Sequence, residues 1–192
     1  MAILVERESL GTKSQHISPA YVDKDGNSYL ASSDRPFPII DVNHLRLHEG
    51  RAYYAYKQYS YAAGLAAGAS IDMALAFPAN VTPHAVFGYG GSGEMEFYVY
   101  EAPTTSGGTS LTIHRHNRYL VTSSSGAAVL APTVSNVGTE IFGEFVPANK
   151  QGGGGQSYTH EFVLKPLTTY LFRLTNVNSQ AHAANLMIEW YE

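Results

Sequence analysis

The sequence predicts an all-β protein, an antiparallel β-sandwich, and three observations predict it. From Glu94 to Arg118, Met95, Phe97 and Val99 alternate with Glu96, Tyr98 and Tyr100, and Leu111 and Ile113 alternate with Thr112, His114 and His116. A repeat of two puts successive side chains on opposite faces of a strand, so each run reads as half-buried β. About eight to ten such short runs recur along the chain, separated by turn-rich stretches, which is the spacing of a sandwich or barrel. No segment sustains a helical period, which argues against a parallel α/β fold.

In chain order, residues 1–41 read as an extended N-terminal arm. Asp25-Gly26 is a turn dipeptide between short extended pieces, a small hairpin or turn. The prolines of SSDRPFPII forbid a regular helix and favour extended chain. An arm of this kind orders on a partner; the alternative is a set of edge strands of the same domain.

Residues 42–192 read as one β-sandwich domain. His44 to His48 alternates, with Leu45 and Leu47 expected inward and the histidines and Arg46 outward, as in a strand. The Tyr-rich stretch Ala52 to Tyr61 is expected to be extended. AAGLAAGAS, residues 62–70, is too short and too Gly-rich for a helix and reads as a loop. Ile71, Met73, Leu75 and Phe77 mark one face of a strand ending at Pro78, and His84 to Tyr89 marks another.

Ala102 to Ser110, with Pro103 and Gly107-Gly108, exceeds hairpin length and reads as a long surface loop. Tyr119 to Pro132 reads as loop with a short strand around Val129. Gly138 to Val146 reads as a strand, with Gly143 a candidate bulge. The GGGG of Pro147 to Ser157 is the most flexible point expected. Tyr170, Phe172 and Leu174 share a face, and Leu186, Ile188 and Trp190 mark a central C-terminal strand. The strand tally exceeds a small barrel and favours a sandwich of jelly-roll type.

The 192 residues suffice for one large domain, and the absence of cysteine rules out disulfides and thiolate chemistry. A net charge of −4 with 15% charged residues is no basic nucleic-acid footprint. No apolar run reaches a membrane span, and the apolar start before Glu6 is too short for a signal-peptide core. These readings predict a soluble, non-secreted chain with no nucleic-acid or membrane partner.

Of the chemistry-bearing patterns, His114-Arg115-His116 is the most metal-like, with His44, His48 or Glu140 as a third ligand. Cupin-like enzymes place a Glu a few residues after such an HxH pair, whereas here no carboxylate occurs before Glu140. Solvated strand-face histidines are the expected reading. His44 and His48 are too far apart on a strand to share a metal.

GYGGSG, residues 88–93, matches the dinucleotide fingerprint but precedes a strand rather than a helix, and reads as a flexible turn. GGGGQS lacks the phosphate-loop lysine, and Asp23 to Asn27 lacks the distal Glu of a calcium loop. Glu94 with Glu96, Glu140 with Glu144, and Glu189 with Glu192 form paired carboxylates that read as solvated rims. Tyr53, Tyr54, Tyr56, Tyr59 and Tyr61 could stack sugars in a solvent-open groove. No catalytic residue, cofactor or metal is expected, and the chain is not expected to be an enzyme.

YVDKDGNSYLASSDRPFPI, HLRLHEGRAYYAYKQY, FYVYEAPTTSGGTSLTIHRHNR and FVLKPLTTYLFRLTNVNSQAHAANLMIEWYE together resemble virion structural proteins of tailed bacteriophages. The likeness is greatest to capsid decoration, or cement, proteins with a jelly-roll domain, and covers the chain from about Val42 onward. YEAPTTSGGTSLT and the closing LFRLTN and WYE are its specific parts. It implies binding to the major capsid protein on the outer surface of a phage head, bridging of capsomers, and a homodimer or homotrimer. It also implies assembly in the host cytoplasm. Residues 3–37 would then hold the capsid-contacting arm, with Arg35 and Phe37 as anchors because Arg and Phe favour interface cores. The alternative is a tail or head-fibre protein with a carbohydrate- or receptor-binding sandwich.

Overall fold

The computed structural model describes residues 20–22, 28–30, 42–148 and 161–192. The chain divides into two compact units, Met1–Asp41 and Val42–Glu192. In the first, β1 (Ala20–Val22) pairs antiparallel with β2 (Ser28–Leu30), with Tyr21 and Tyr29 in register. The Asp25-Gly26 turn, the proline-rich stretch, Arg35 and Phe37 lie outside the described residues, as does the GGGG segment.

The second unit opens with a helix, α1 (Val42–His48), where alternation predicted a strand. Leu45 is 43% exposed and not an inward strand residue. The end signal is Gly50: its φ of 71° lets its amide donate to the Leu47 carbonyl while Arg51 donates to that of Arg46, 3.1 and 3.0 Å. Arg46 also pairs with Glu49 at 3.0 Å, three residues on. Two alternating leucines were too short a pattern to outweigh a glycine helix stop. Positions 44 and 48 therefore lie one helical turn apart.

The remaining strands are β3 (Ala52–Tyr59), β4 (Ser70–Ala76), β5 (His84–Gly91), β6 (Met95–Glu101), β7 (Thr104–Ser106), β8 (Thr109–Ser110) and β9 (His114–Arg115). They continue with β10 (Ala127–Leu130), β11 (Thr133–Asn136), β12 (Thr139–Val146), β13 (Phe162–Val163), β14 (Thr169–Asn176) and β15 (Ala184–Tyr191). A six-stranded sheet runs β12-β6-β14-β4-β10-β8 and a five-stranded sheet runs β13-β5-β15-β3-β9. Every pairing is antiparallel, and the main ones nest: β3 with β15, β4 with β14, β5 with β13, β6 with β12.

The sheets face each other across one core. Ile71, Met73 and Leu75, then Met95, Phe97 and Val99, then Tyr170, Phe172 and Leu174 fill it from the six-stranded sheet, as their alternation predicts. Tyr53, Ala55, Phe87, Tyr89, Leu186, Ile188 and Trp190 fill it from the five-stranded sheet. Phe97 stacks on Tyr89 at 3.8 Å and meets Phe87 at 5.5 Å, so the layers are joined by ring contacts. Each fully buried Leu, Ile, Phe or Met among them stabilises by about 1.5–3 kcal/mol.

Three local expectations change. The second run of the 94–118 stretch is not one strand: β8 joins the six-stranded sheet, β9 joins the five-stranded sheet, and residues 111–113 cross between them. Leu111 and Ile113 pack against the core during that crossing, which is why their alternation resembles a strand. The expected 102–110 loop contains β7, which pairs with β11 in a two-stranded sheet. GYGGSG is not a turn throughout, since β5 continues to Gly91, held by pairing with β15 and by buried Tyr89.

The bulge in β12 lies at Ile141, between the Glu140–Tyr100 and Phe142–Val99 pairs, rather than at Gly143. Gly143 sits under the Tyr98 ring instead, where a Cβ would come within 2.8 Å of Cε1.

Candidate functional site

On β3 the inward residues are Tyr53, Ala55 and Tyr59, and the outward ones Tyr54, Tyr56 and Gln58. Tyr53 is buried and stacks on Trp190 at 6.2 Å, so it is removed from any surface groove. Tyr54 lies between the two histidines predicted as a pair, His114 at 5.1 Å and His116 at 4.9 Å, with Tyr56 at 6.1 Å. The β3–β9 register, which sets Tyr54 opposite His114, assembles this aromatic strip.

At the far end of the strip an open groove of about 390 Å³ is lined by Tyr56, Gln58, Tyr59, Tyr61, Ser92 and Asn185, among others. Tyr56 is 48% and Tyr61 78% exposed. The groove therefore uses three of the five tyrosines singled out in the sequence. Lys57 also lines it and holds its ammonium 4.9 Å from the Tyr59 ring centre. A neighbouring cavity of about 380 Å³ shares Met187 with the groove and adds Tyr54, Arg115, His116 and Arg118. Arg115 Nη1 is buried without a hydrogen-bond partner. The surface thus combines ring faces with amide, hydroxyl and cationic donors.

The loops at Leu65–Ala66 and Gln180 are tied by Asn176, a fully buried side chain. Its Nδ2 donates to the carbonyls of Leu65, Ala66 and Gln180 at 2.8, 3.2 and 2.8 Å. Its Oδ1 accepts from the Asn178 amide at 3.0 Å. Sequence reading passed over Asn176 because a single Asn at a strand end carries no pattern.

The carboxylate beside the histidine pair is not one of the two, Glu140 and Glu144, expected of a cupin-like site. His116 approaches Glu189 at 3.4 Å, not Glu140 or Glu144. Glu140 and Glu144 lie on β12 at the border of the other sheet, where Glu144 accepts from the Tyr89 hydroxyl. Among the described residues no group of three or more His, Asp and Glu side chains could hold a metal ion. His48 contributes its carbonyl to Asn117, 3.2 Å away.

On the outer face of the six-stranded sheet, Arg173 grips Asp72 through two hydrogen bonds of 2.7 Å, which raises the guanidinium pKa further. Burial beside this pair raises the Tyr100 pKa. Near the start of β14, Glu101 accepts from Lys165 Nζ at 2.7 Å and from Tyr170 at 3.0 Å, and the lysine contact chiefly lowers its pKa. Burial raises that of Tyr170. These groups join strands and point at no cavity described above.

Neither a protein-family model, nor a curated protein, nor a solved structure matches the chain.

Proposed function

We propose that the protein is a capsid decoration protein of a tailed bacteriophage, binding the outer surface of the head and stabilising contacts between capsomers. The observation that carries the reading is where the resembling stretches fall. YEAPTTSGGTSLT spans the end of β6 through β7 and β8, and the closing stretch forms β14 and β15 in the middle of the two sheets. Both build framework rather than a reaction centre, as a structural component requires. The nested strand pairing, first with last and inward to β6 with β12, is the order of a jelly roll and supports that finer assignment of the sandwich. In this reading residues 3–37, with Arg35 and Phe37, contact the major capsid protein.

The test is sedimentation of the purified chain with undecorated heads of its phage. Co-sedimentation at a fixed ratio is expected, and a chain lacking residues 3–37 should stay in the supernatant with its thermal transition intact. Failure of the full chain to bind heads overturns decoration; binding by the truncated chain overturns the arm.

A second reading, a fibre component that binds carbohydrate, is favoured by the Tyr56–Tyr59–Tyr61 groove. Ring faces pack on the C–H faces of sugars, and Gln58, Asn185 and Lys57 offer hydrogen bonds. Saturable binding to host cell-surface glycans by the chain alone, lost in Tyr56→Ala/Tyr61→Ala, would move the assignment to this reading.

A further inference from the structure

We propose that the cavity beside the tyrosine groove is a carboxylate subsite, so that the surface takes an acidic oligosaccharide. Its neutral rings lie on Tyr56 and Tyr61, and its carboxylate is held by Arg115 and Arg118. The proposal rests on the carbohydrate reading of the groove and names the class of sugar.

The arginines and lysines of the described residues carry the argument. Arg46 and Arg51 reach Glu49, Lys165 reaches Glu101, and Arg173 grips Asp72. Among the described residues Lys57, Arg115 and Arg118 have no carboxylate partner, and all three line the groove or the cavity next to it. The chain holds 16 acidic against 12 basic residues, so acidic partners are in excess, yet these cations go without them. Arg115 is half-buried with no acceptor at Nη1, and Arg118 is exposed. A guanidinium donates in a planar fork that matches a carboxylate at two points, and neither fork is committed within the described residues. Glu189, on β15, is already engaged by His116 at 3.4 Å.

The two sites are continuous. The outward alternation of β3 puts Tyr54 in the cavity and Tyr56 in the groove, ring centres 6.1 Å apart. Met187 of the adjacent β15 borders both, so one ligand can meet a ring face and a guanidinium together. Sugars suit the groove end, where ring C–H faces pack on tyrosine and Gln58 and Asn185 supply hydrogen bonds to hydroxyls. A nucleic-acid strand would also stack on tyrosines, but it brings a phosphate at every residue. A chain of net charge −4 with two arginines at one end suits a single anionic group instead.

The test uses the full chain and a panel of uronate- and sialate-bearing oligosaccharides, each beside its carboxyl-reduced neutral form, with affinities from titration calorimetry. At least one acidic member should bind about tenfold or more tightly than its reduced form, and the difference should shrink with added salt. Arg118→Gln, at an exposed position, should remove this preference while leaving the reduced form's affinity and the thermal transition unchanged, and Arg115→Gln should act in the same direction. Tyr56→Ala/Tyr61→Ala should weaken both forms. Equal binding of acid and reduced forms, or an acid preference that survives in both arginine variants, overturns the carboxylate subsite and leaves the carbohydrate reading standing. Binding of no member of the panel overturns both. Salt-sensitive binding of a deoxythymidine oligomer with no glycan bound replaces the saccharide by a nucleic acid and overturns the proposal.

Discussion

Replacing Asn176 by Ala removes two donated hydrogens shared among the carbonyls of Leu65, Ala66 and Gln180, and the bond its Oδ1 accepts from the Asn178 amide, three bonds in all at a fully buried side chain. At about 1 kcal/mol net for each bond the expected loss is about 3 kcal/mol. For a chain of this length that corresponds to a fall in melting temperature of about 6–12 °C. Leu65 retains one partner for its carbonyl, the amide of His182 at 3.1 Å, which keeps the cost from rising further. Asn176→Asp separates this account from simple loss of volume. A carboxylate oxygen would then face the three carbonyls, so burial and repulsion raise the folded-state pKa above the unfolded value of about 3.9. A raised carboxyl pKa is tolerated below the unfolded pKa and costs stability as pH rises through the folded one. Asn176→Asp should therefore be closer to the native protein at pH 4 than at pH 7, whereas the deficit of Asn176→Ala should not depend on pH. Chemical denaturation at both pH values measures this. A loss below about 1 kcal/mol for Asn176→Ala would refute the three-bond account, as would a pH-independent deficit for Asn176→Asp.

Other expectations follow from separate contacts. Gly50→Ala forces a side chain into the left-handed region, at a site where a Cβ would lie 2.6 Å from Leu120 Cδ1, and should cost about 1–3 kcal/mol in thermal denaturation. Glu101 has a lowered folded pKa, so its contribution is present above the unfolded carboxylate range and lost as pH falls through the folded value. Glu101→Gln should accordingly flatten the acid limb of the stability–pH curve. Asp72→Ala leaves the partly buried Arg173 without its two-point partner and should destabilise by about 2–4 kcal/mol, more than Arg46→Ala at the exposed Glu49 pair. Tyr56→Ala/Tyr61→Ala should leave the melting transition within about 1 kcal/mol of native, because Tyr61 is mostly exposed and Tyr56 about half exposed.

Alternation by itself determined the all-β character, the inward faces of β4, β6, β14 and β15, and the central place of the C-terminal strand. Each is a local consequence of the two-residue repeat of a strand with one buried face, so neighbours in sequence carry enough information. Five tyrosines could be named, but not which of them line a groove. Tyr53 turns into the core while Tyr56 and Tyr61 remain exposed, and Tyr54 is covered by histidines some 60 residues away in the chain, a juxtaposition that depends on the β3–β9 register. The helix at Val42–His48 was legible in Gly50 but masked by two alternating leucines. The crossing at residues 111–113, the Ile141 bulge and the role of Asn176 were decided only by the tertiary structure. Each depends on which distant backbone groups are brought within hydrogen-bonding reach, and the energies that choose among those partners are long-range pairings with no local signature.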